Sequence, residues 1–110
     1  MIYVIATIEV AAGKRDEFLK HFCALVPKVL EEDGCIEYGP NVDLDTSIAA
    51  QGELRKDVVV VIEKWEDAES LECHLVAPHM LEYRTQVKDL VQSVSLQILE
   101  PSIAAGAQTE

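Results

Sequence analysis

Hydrophobic and polar residues alternate along residues 2–10 of the chain. The apolar positions that share one face of this segment are Ile2, Val4, Ala6, Ile8 and Val10. Because successive side chains of a strand point to opposite faces of a sheet, this pattern predicts a β-strand with one core-facing side. Ala12-Gly13 then breaks the alternation and ends the predicted strand.

Residues 14–32 space their apolar side chains at helical intervals. The stripe consists of Phe18, Phe22, Leu25 and Val29. This spacing predicts a helix with one buried face. Pro27 interrupts the pattern, and we expect a kink or a break there because proline lacks the N–H that an α-helix requires. Gly34 suits a left-handed cap that ends the helix.

Residues 35–45 predict a second strand, bent at Gly39-Pro40, and residues 46–56 form a polar connection. The β-branched run in residues 57–65 predicts a third, buried strand. A proline inside the second strand removes a ladder donor, so that strand is expected to bulge or to lie at a sheet edge.

The last part of the chain predicts two helical segments and a strand. Glu66-Asp67 offers a capping carboxylate for a helix over residues 67–76. Pro78 suits the first turn of a second helical segment, which runs to about residue 91. Its apolar stripe consists of Met80, Tyr83, Val87 and Leu90. The final strand covers residues 93–100 and ends at Pro101.

The predicted order, β-α-β-β-α-β, is typical of the α+β ferredoxin-like fold. We expect a four-stranded antiparallel sheet with the helices on one face, formed by a domain over residues 1–101 and followed by a short tail, 102–110. The other face of the sheet carries apolar groups such as Ile5, Val59 and Val61, or their out-of-phase neighbours. Because so large an apolar face is rarely left in water, we expect a homodimer through the sheets.

Composition narrows the classes of partner and compartment. The 110 residues suffice for one core, and the net charge of −11 argues against nucleic acid or an anionic membrane as a partner. The apolar runs, such as Val58 to Ile62, are far shorter than a membrane span of about 20 residues. No basic segment precedes the apolar N-terminus, which therefore predicts a strand and not a secretory signal. An odd number of cysteines (Cys23, Cys35 and Cys73) predicts free thiols in the cytoplasm.

Candidate chemistry is concentrated around the corner between the third strand and the following helix. Trp65, His74 and His79 fall there within 15 residues. Unperturbed imidazole titrates near pH ~6.5, so the two histidines are the candidate acid/base catalysts. Trp65 is a candidate wall for a flat ring, although plain core packing is the common role of tryptophan. Glu63, which shares a strand face with Trp65, is either a pocket acid that anchors a substrate hydroxyl or a charge at a strand end.

Three further positions are candidate substrate contacts. Tyr38 and Asn41 lie on the bent second strand, and Tyr83 lies on the apolar stripe of the last helix. Asn41 could donate a hydrogen bond, but Gly39-Pro40-Asn41 also fits an ordinary turn and Tyr38 an ordinary core position. The chain contains no glycine-rich phosphate loop, no HExxH motif and no paired-cysteine zinc pattern. We therefore expect neither a bound metal nor a nucleotide or flavin cofactor.

The segment from Trp65 to His79, W-x8-H-x3-P-H, resembles the signature of the antibiotic biosynthesis monooxygenase family. Within that family the chain looks most like the small quinol monooxygenases. Further segments that carry the resemblance are residues 26–35, the run Tyr38-Gly39-Pro40-Asn41-Val42-Asp43, and Pro78-His79-Met80 through Tyr83.

The resemblance implies a dimeric α/β barrel with a pocket in each subunit between sheet and helices. It also implies oxidation of a quinol or related phenolic aromatic by O2 without flavin, haem or metal. A base would generate the reactive phenolate and a hydrogen-bond donor would stabilise the oxyanion. The candidates are His74 or His79 as base, Trp65 as ring wall, and Tyr38 or Asn41 as donor.

Two other functions are compatible with the same sequence. Haem-binding or haem-degrading relatives of this fold place an asparagine on the first strand, where this chain has Thr7. A non-catalytic dimeric module that binds a small ligand or serves in a stress response would have the pocket but not the activity.

Overall fold

A computed structural model describes residues 1–102 of the chain. The tail predicted from residue 102 onward thus lies almost entirely outside the described residues. In chain order, the elements are β1 (Ile2–Val10), α1 (Arg15–Leu30), β2 (Cys35–Asn41), β3 (Val58–Trp65), α2 (Ala68–Leu75), α3 (Pro78–Val87) and β4 (Val91–Leu99).

The four strands form one antiparallel sheet in the order β2-β3-β1-β4. The first strand is central, so Ile5 faces Ile62 on one side and Gln97 on the other. The helices cover one face of this sheet. Between β3 and β4, where the β-α-β-β-α-β order has a single helix, this chain has two, α2 and α3. The predicted ferredoxin-like architecture is therefore confirmed.

The core lies between the sheet and α1. The side chains of Val4 and Phe18 are completely buried, as are those of Val29 and Val59. Val59 and Val61 face the helices, so the expectation that they could lie on the open face is wrong for these two residues. Because side chains alternate along a strand, the β3 residues between these valines and beyond them lie on the open face of the sheet. Ile62 is one of them and is 43% exposed.

Pro27 does not break α1, which runs from Arg15 to Leu30, so the predicted break is wrong, while the predicted kink stays a prediction. The missing N–H of Pro27 would have bonded the carbonyl of Cys23, and both residues are exposed. Water can therefore satisfy the freed carbonyl, while Phe22 and Leu25 hold the opposite face of the helix in the core.

Several element bounds differ from those predicted. The second strand ends at Asn41 and not at residue 45, and α3 ends at Val87 and not near residue 91. The N–H of Leu90 donates to the carbonyl of Val87 at 2.8 Å in a turn, so the chain reverses earlier than the apolar stripe suggests. The last strand begins at Val91 because Val91 already pairs with Val10.

The corner that follows α1 is tight. Gly34 adopts a φ of +83°, as predicted for a left-handed cap, and its carbonyl accepts the N–H of Glu66 at 2.8 Å. Asp67 caps α2 as predicted, because its Oδ1 accepts the N–H of Ser70 at 2.8 Å. These contacts join the end of α1 to the corner between β3 and α2. No helix within residues 1–102 is long and apolar enough to cross a membrane.

Candidate functional site

A cavity of about 420 Å³ lies between the sheet and the helices. Apolar side chains form most of its wall, including Ala6 and Ile8 from β1, Val61 from β3 and Met80 from α3. The polar groups that reach it are few, and they are His74, Glu63, Tyr38 and Tyr83, with Arg84 and Lys88 in addition. An apolar enclosure with a small number of polar groups is the usual form of a small-molecule site.

His74 is the buried imidazole of this cavity. The residue lies on α2 and is only 1% exposed. Its Nδ1 lies 2.9 Å from Oε2 and 3.2 Å from Oε1 of Glu32, which follows the end of α1. Because a carboxylate only accepts hydrogen bonds, this contact places a proton on Nδ1 and leaves Nε2 as the basic nitrogen. Burial lowers the pKa of His74, against the opposing effect of Glu32, so the imidazole is neutral at neutral pH.

Glu63 is the buried carboxyl group of the cavity. It is 5% exposed, and its Oε1 accepts the indole Nε1–H of Trp65 at 2.9 Å. Burial raises the pKa of Glu63 from 4.5 to about 7, although the Trp65 hydrogen bond acts in the opposite direction. The sequence allowed Glu63 to be either a pocket acid or a charge at a strand end. In the structure it is a buried group that changes charge near neutral pH.

Two tyrosines supply hydroxyl groups to the cavity. The ring of Tyr38 stacks on Phe22 with 5.5 Å between centroids, and it meets the ring of His74 edge-on at 5.3 Å. Tyr83 packs edge-on against Phe22 at 5.7 Å. Burial raises the pKa of both tyrosines, so both hydroxyls stay protonated and can donate hydrogen bonds.

The other predicted site residues lie outside the cavity wall. Trp65 is fully buried and does not line the cavity, and the centroid of its ring lies 4.7 Å from that of His74. His79 contacts Glu32 at 2.6 Å through Nε2. Asn41 is exposed and donates to the carbonyls of Gly39 and Val60. The structure thus brings together Tyr38, Glu63, His74 and Tyr83, but neither His79 nor Asn41 reaches the cavity.

Two residues at the site were not among the predicted ones. Glu32 was missed because its partners are 42 and 47 positions away in the sequence. Its only local signal is a carboxylate near a helix C-terminus, where the helix dipole disfavours negative charge. Arg84, on α3, is the second of these residues. It is exposed, but its Nη2 donates to the carbonyl of Leu75 at 2.7 Å and the side chain borders the cavity.

Within residues 1–102, no group of three or more histidine, cysteine or acidic side chains is arranged to hold a metal ion. Thr7, the first-strand position considered for a haem site, alternates with the cavity residues Ala6 and Ile8. Its side chain therefore belongs to the opposite face of the sheet.

Comparison with known proteins adds to this geometry. The chain is 40% identical over 105 residues to "Probable quinol monooxygenase YgiN" of Escherichia coli K12, which covers 94% of this chain and 100% of that protein. A crystal structure of PA3566 from Pseudomonas aeruginosa is 27% identical, with a TM-score of 0.75 over 93% of this chain and 94% of that one. The structure of Rv0793 from Mycobacterium tuberculosis is 25% identical, with a TM-score of 0.75 over 93% and 95% of the two chains.

The sequence profile of one family covers most of the chain. It is described as antibiotic biosynthesis monooxygenase and matches residues 1–86, from β1 through most of α3. The matched residues include Tyr38, Glu63, His74 and Tyr83 of the cavity. The chain belongs to the antibiotic biosynthesis monooxygenase family.

Proposed function

We propose that the protein is a monooxygenase that oxidises a quinol or a related phenolic aromatic with O2. The observation that carries the proposal is the polar set of the cavity, in which His74, Glu63 and two tyrosine hydroxyls face an otherwise apolar space. Such a space suits a flat aromatic ring with hydroxyl groups at its ends. Family membership and the name of the Escherichia coli relative support the same class of reaction.

The proposed reaction needs no reductant other than the substrate. A quinol loses four electrons in becoming a hydroxyquinone, and O2 accepts these four electrons. One oxygen atom forms the new C–O bond, the O–O bond breaks, and the other oxygen leaves as water. Three hydrogens leave the two hydroxyls and the attacked ring carbon; two of them end in water and one on the new hydroxyl group. For this reason we propose that the protein acts without a cofactor.

His74 is the proposed base. A phenol has a pKa of ~10, so a positioned base is needed to populate its anion near neutral pH. The Nδ1–H of His74 is held by Glu32, and Nε2 is the nitrogen available to a substrate hydroxyl in the cavity. The same division of labour between the two ring nitrogens operates in hydrolase triads. His79 contacts the Glu32 carboxylate from outside the cavity, so we assign it a supporting role and not that of the base.

The remaining polar groups would orient the substrate and stabilise its anion. Tyr38 and Tyr83 are protonated donors, and a donor aimed at a developing oxyanion lowers the barrier. Glu63 would anchor a substrate hydroxyl. Because Glu63 changes charge near pH 7, we expect activity to change over the same pH range.

Oxygen uptake by metal-free protein with a panel of reduced quinols tests the proposal. We expect uptake above the spontaneous rate in the parent, and a fall of roughly 100-fold or more in His74→Ala. Added imidazole should restore part of the activity of His74→Ala, because that variant leaves space for it beside Glu32. His74→Gln, which fills the space with a polar side chain, should be inactive and not restored.

His21→Ala is the matched control, since His21 lies on α1 and does not border the cavity. It should retain the parent rate. If the parent takes up no oxygen above autoxidation with any quinol, the enzymatic proposal fails and a ligand-binding module becomes the better description. If His74→Ala and His21→Ala both match the parent, His74 is not the base.

We also propose that the protein works as a homodimer through the open face of the sheet. The register places Ile5 beside Ile62 at the centre of that face, and Ile62 is 43% exposed. Leu99, which pairs with Tyr3 on the same face, is 45% exposed. Burying these apolar groups against a second copy would remove them from water.

A cytoplasmic location is proposed from the cysteines. Cys23, Cys35 and Cys73 are all free thiols, and Cys23 and Cys73 are exposed. Exposed free thiols are typical of proteins kept in a reducing compartment.

A further inference from the structure

The mouth of the cavity differs from the rest of the protein in its charge. The wall residues that are exposed to solvent come from α3 and its end on one side and from β4 on the other. They include Arg84 and Lys88, together with Val94 and Leu96, which are 55% and 39% exposed. The opening therefore has a basic side and an apolar side.

These two cations lie in a chain that is acidic overall. The chain has 9 basic and 20 acidic residues, yet two of the basic ones border this single cavity. Among residues 1–102, neither Arg84 nor Lys88 takes part in an ion pair, and in this they resemble most of the basic residues, of which only Lys14 and Arg55 are paired with a carboxylate. The positive charge at the mouth is therefore not neutralised by an ion pair within these residues.

The geometry of the pair favours one site and not two scattered charges. Arg84 and Lys88 are four positions apart, and Lys88 continues the helical conformation at the end of α3, so their side chains lie on the same side of the helix. The guanidinium is oriented by its hydrogen bond from Nη2 to the carbonyl of Leu75 at 2.7 Å. Its other N–H donors remain available, and a planar guanidinium fork matches a carboxylate.

We propose that Arg84 and Lys88 form a carboxylate-binding subsite at the mouth of the cavity, so that the preferred substrate is an aromatic ring bearing a carboxylate. The ring would enter between Val94 and Leu96 toward His74, and the carboxylate would stay at the basic side. The inference rests on the proposed function for its account of the reaction, but not for its account of binding. Lysine and arginine near the end of a helix also complement the helix dipole, so the test separates binding from stability.

Equilibrium binding of two redox-inert ligands tests the subsite. 2-Naphthoate and 2-naphthamide share a ring and nearly a shape but differ in charge, and calorimetry gives both dissociation constants. We expect the parent to bind 2-naphthoate roughly tenfold more tightly than the amide, as suits a charge-assisted hydrogen bond. Arg84→Gln/Lys88→Gln should lose this preference while keeping its affinity for the amide, and Lys88→Gln alone should lose part of it.

Lys20→Gln/Lys28→Gln is the matched control, because it removes the same charge from exposed positions on α1 that do not border the cavity. It should keep the preference for 2-naphthoate. The subsite is overturned if the parent binds both ligands equally or binds neither. It is also overturned if the control variant loses the preference as fully as the mouth variant, since the effect would then be that of overall charge.

Oxygen uptake then separates this inference from the proposed function. With 1,4-dihydroxy-2-naphthoate and 1,4-dihydroxynaphthalene as substrates, the mouth variant should raise the KM of the first and leave the KM of the second unchanged. A charge-dependent preference for 2-naphthoate without any oxygen uptake would retain the subsite and refute the monooxygenase. Uptake of both diols with equal KM values in the parent would refute the subsite and retain the monooxygenase.

Discussion

The indole Nε1–H of Trp65 donates to Oε1 of Glu63 at 2.9 Å, and both side chains are buried on the same face of β3. The pairing accounts for a carboxyl group on a core-facing strand surface. Oε1 of Glu63 can accept this hydrogen bond in either protonation state, while burial penalises the charged form and raises the pKa of Glu63 to about 7.

Glu63→Gln is expected to stabilise the protein at alkaline pH. The folded state binds the Glu63 proton more tightly than the unfolded state, whose pKa is near 4.5, so the parent loses stability as pH rises from 4.5 through about 7. A neutral glutamine avoids this loss and can still accept from Trp65. Urea unfolding should show little difference between the two proteins near pH 4.5 and an advantage of about 3 kcal/mol for the variant above pH 8.

Glu66→Gln, a change at an exposed glutamate nearby, should leave the pH profile of stability as it is in the parent. A Glu63→Gln protein that follows the parent at every pH would show that Glu63 titrates normally in the folded state.

Glu32→Gln is expected to impair turnover through His74 without weakening substrate binding. The Glu32 carboxylate holds the proton on Nδ1 of His74 and raises its pKa against the effect of burial. An amide can instead donate to Nδ1 and reverse the tautomer. We expect kcat to fall roughly 10- to 100-fold with KM nearly constant. In NMR titrations the pKa of His74 should move lower still.

The neighbouring exposed residue supplies the comparison for Glu32. Glu31→Gln removes the same charge one position earlier and should change neither kcat nor the His74 titration. Equal effects of the two substitutions would assign the loss to long-range charge and remove Glu32 from its positioning role.

Gly34→Ala should destabilise the fold more than Gly13→Ala. Both glycines have positive φ angles, of +83° and +75°, so both variants strain the backbone by about 1 kcal/mol or more. At Gly34 the new Cβ would also lie 2.6 Å from Cβ of Ser70, whereas at Gly13 it would meet nothing within 4 Å. Thermal unfolding of the two variants compares strain with and without the clash. Equal losses of stability in the two variants would mean that Ser70 of α2 moves away from the new Cβ at no cost in free energy.

Ile62→Lys is expected to convert the proposed dimer into a monomer. The residue is 43% exposed on the open sheet face, where a buried lysine would lack a partner. Sedimentation velocity measures the change in mass. Leu81→Lys makes the same substitution at a leucine of α3 that is 53% exposed, on the helical side, and should leave the mass unchanged. A parent that sediments as a monomer, or an Ile62→Lys variant that remains dimeric, contradicts assembly through this face.

The sequence predicts the architecture well because the architecture depends on local patterns. The alternation in β1, the stripe of α1, the Gly34 cap and the Asp67 cap each appear within a few residues, and each is present in the structure. The local signal at Pro27 was less reliable, because the break that it allowed is absent. Whether a proline breaks a helix depends on the tertiary packing of Phe22 and Leu25 and on solvent access to one carbonyl.

The site is predicted less well because its contacts are long-range. The segment around Trp65 is chemically distinctive, and it does deliver Glu63 and His74 to the cavity. However, nothing in the local sequence pattern indicates that His74 lines the cavity while His79 contacts Glu32 from outside it. That choice depends on where the end of α1 meets α2 and α3, which only the folded chain specifies.

The central position of β1 bears on how the domain is made. During synthesis β1 emerges before the other elements, yet its two neighbours in the sheet are β3 and β4, and β4 supplies Val94 and Leu96 to the cavity mouth. Until β4 leaves the ribosome, one edge of β1 is unpaired and the cavity lacks the side chains that β4 contributes to its lining. The proposed substrate site is therefore complete only after β4, which is the last of the four described strands along the chain, and pairings so distant in sequence favour slow folding.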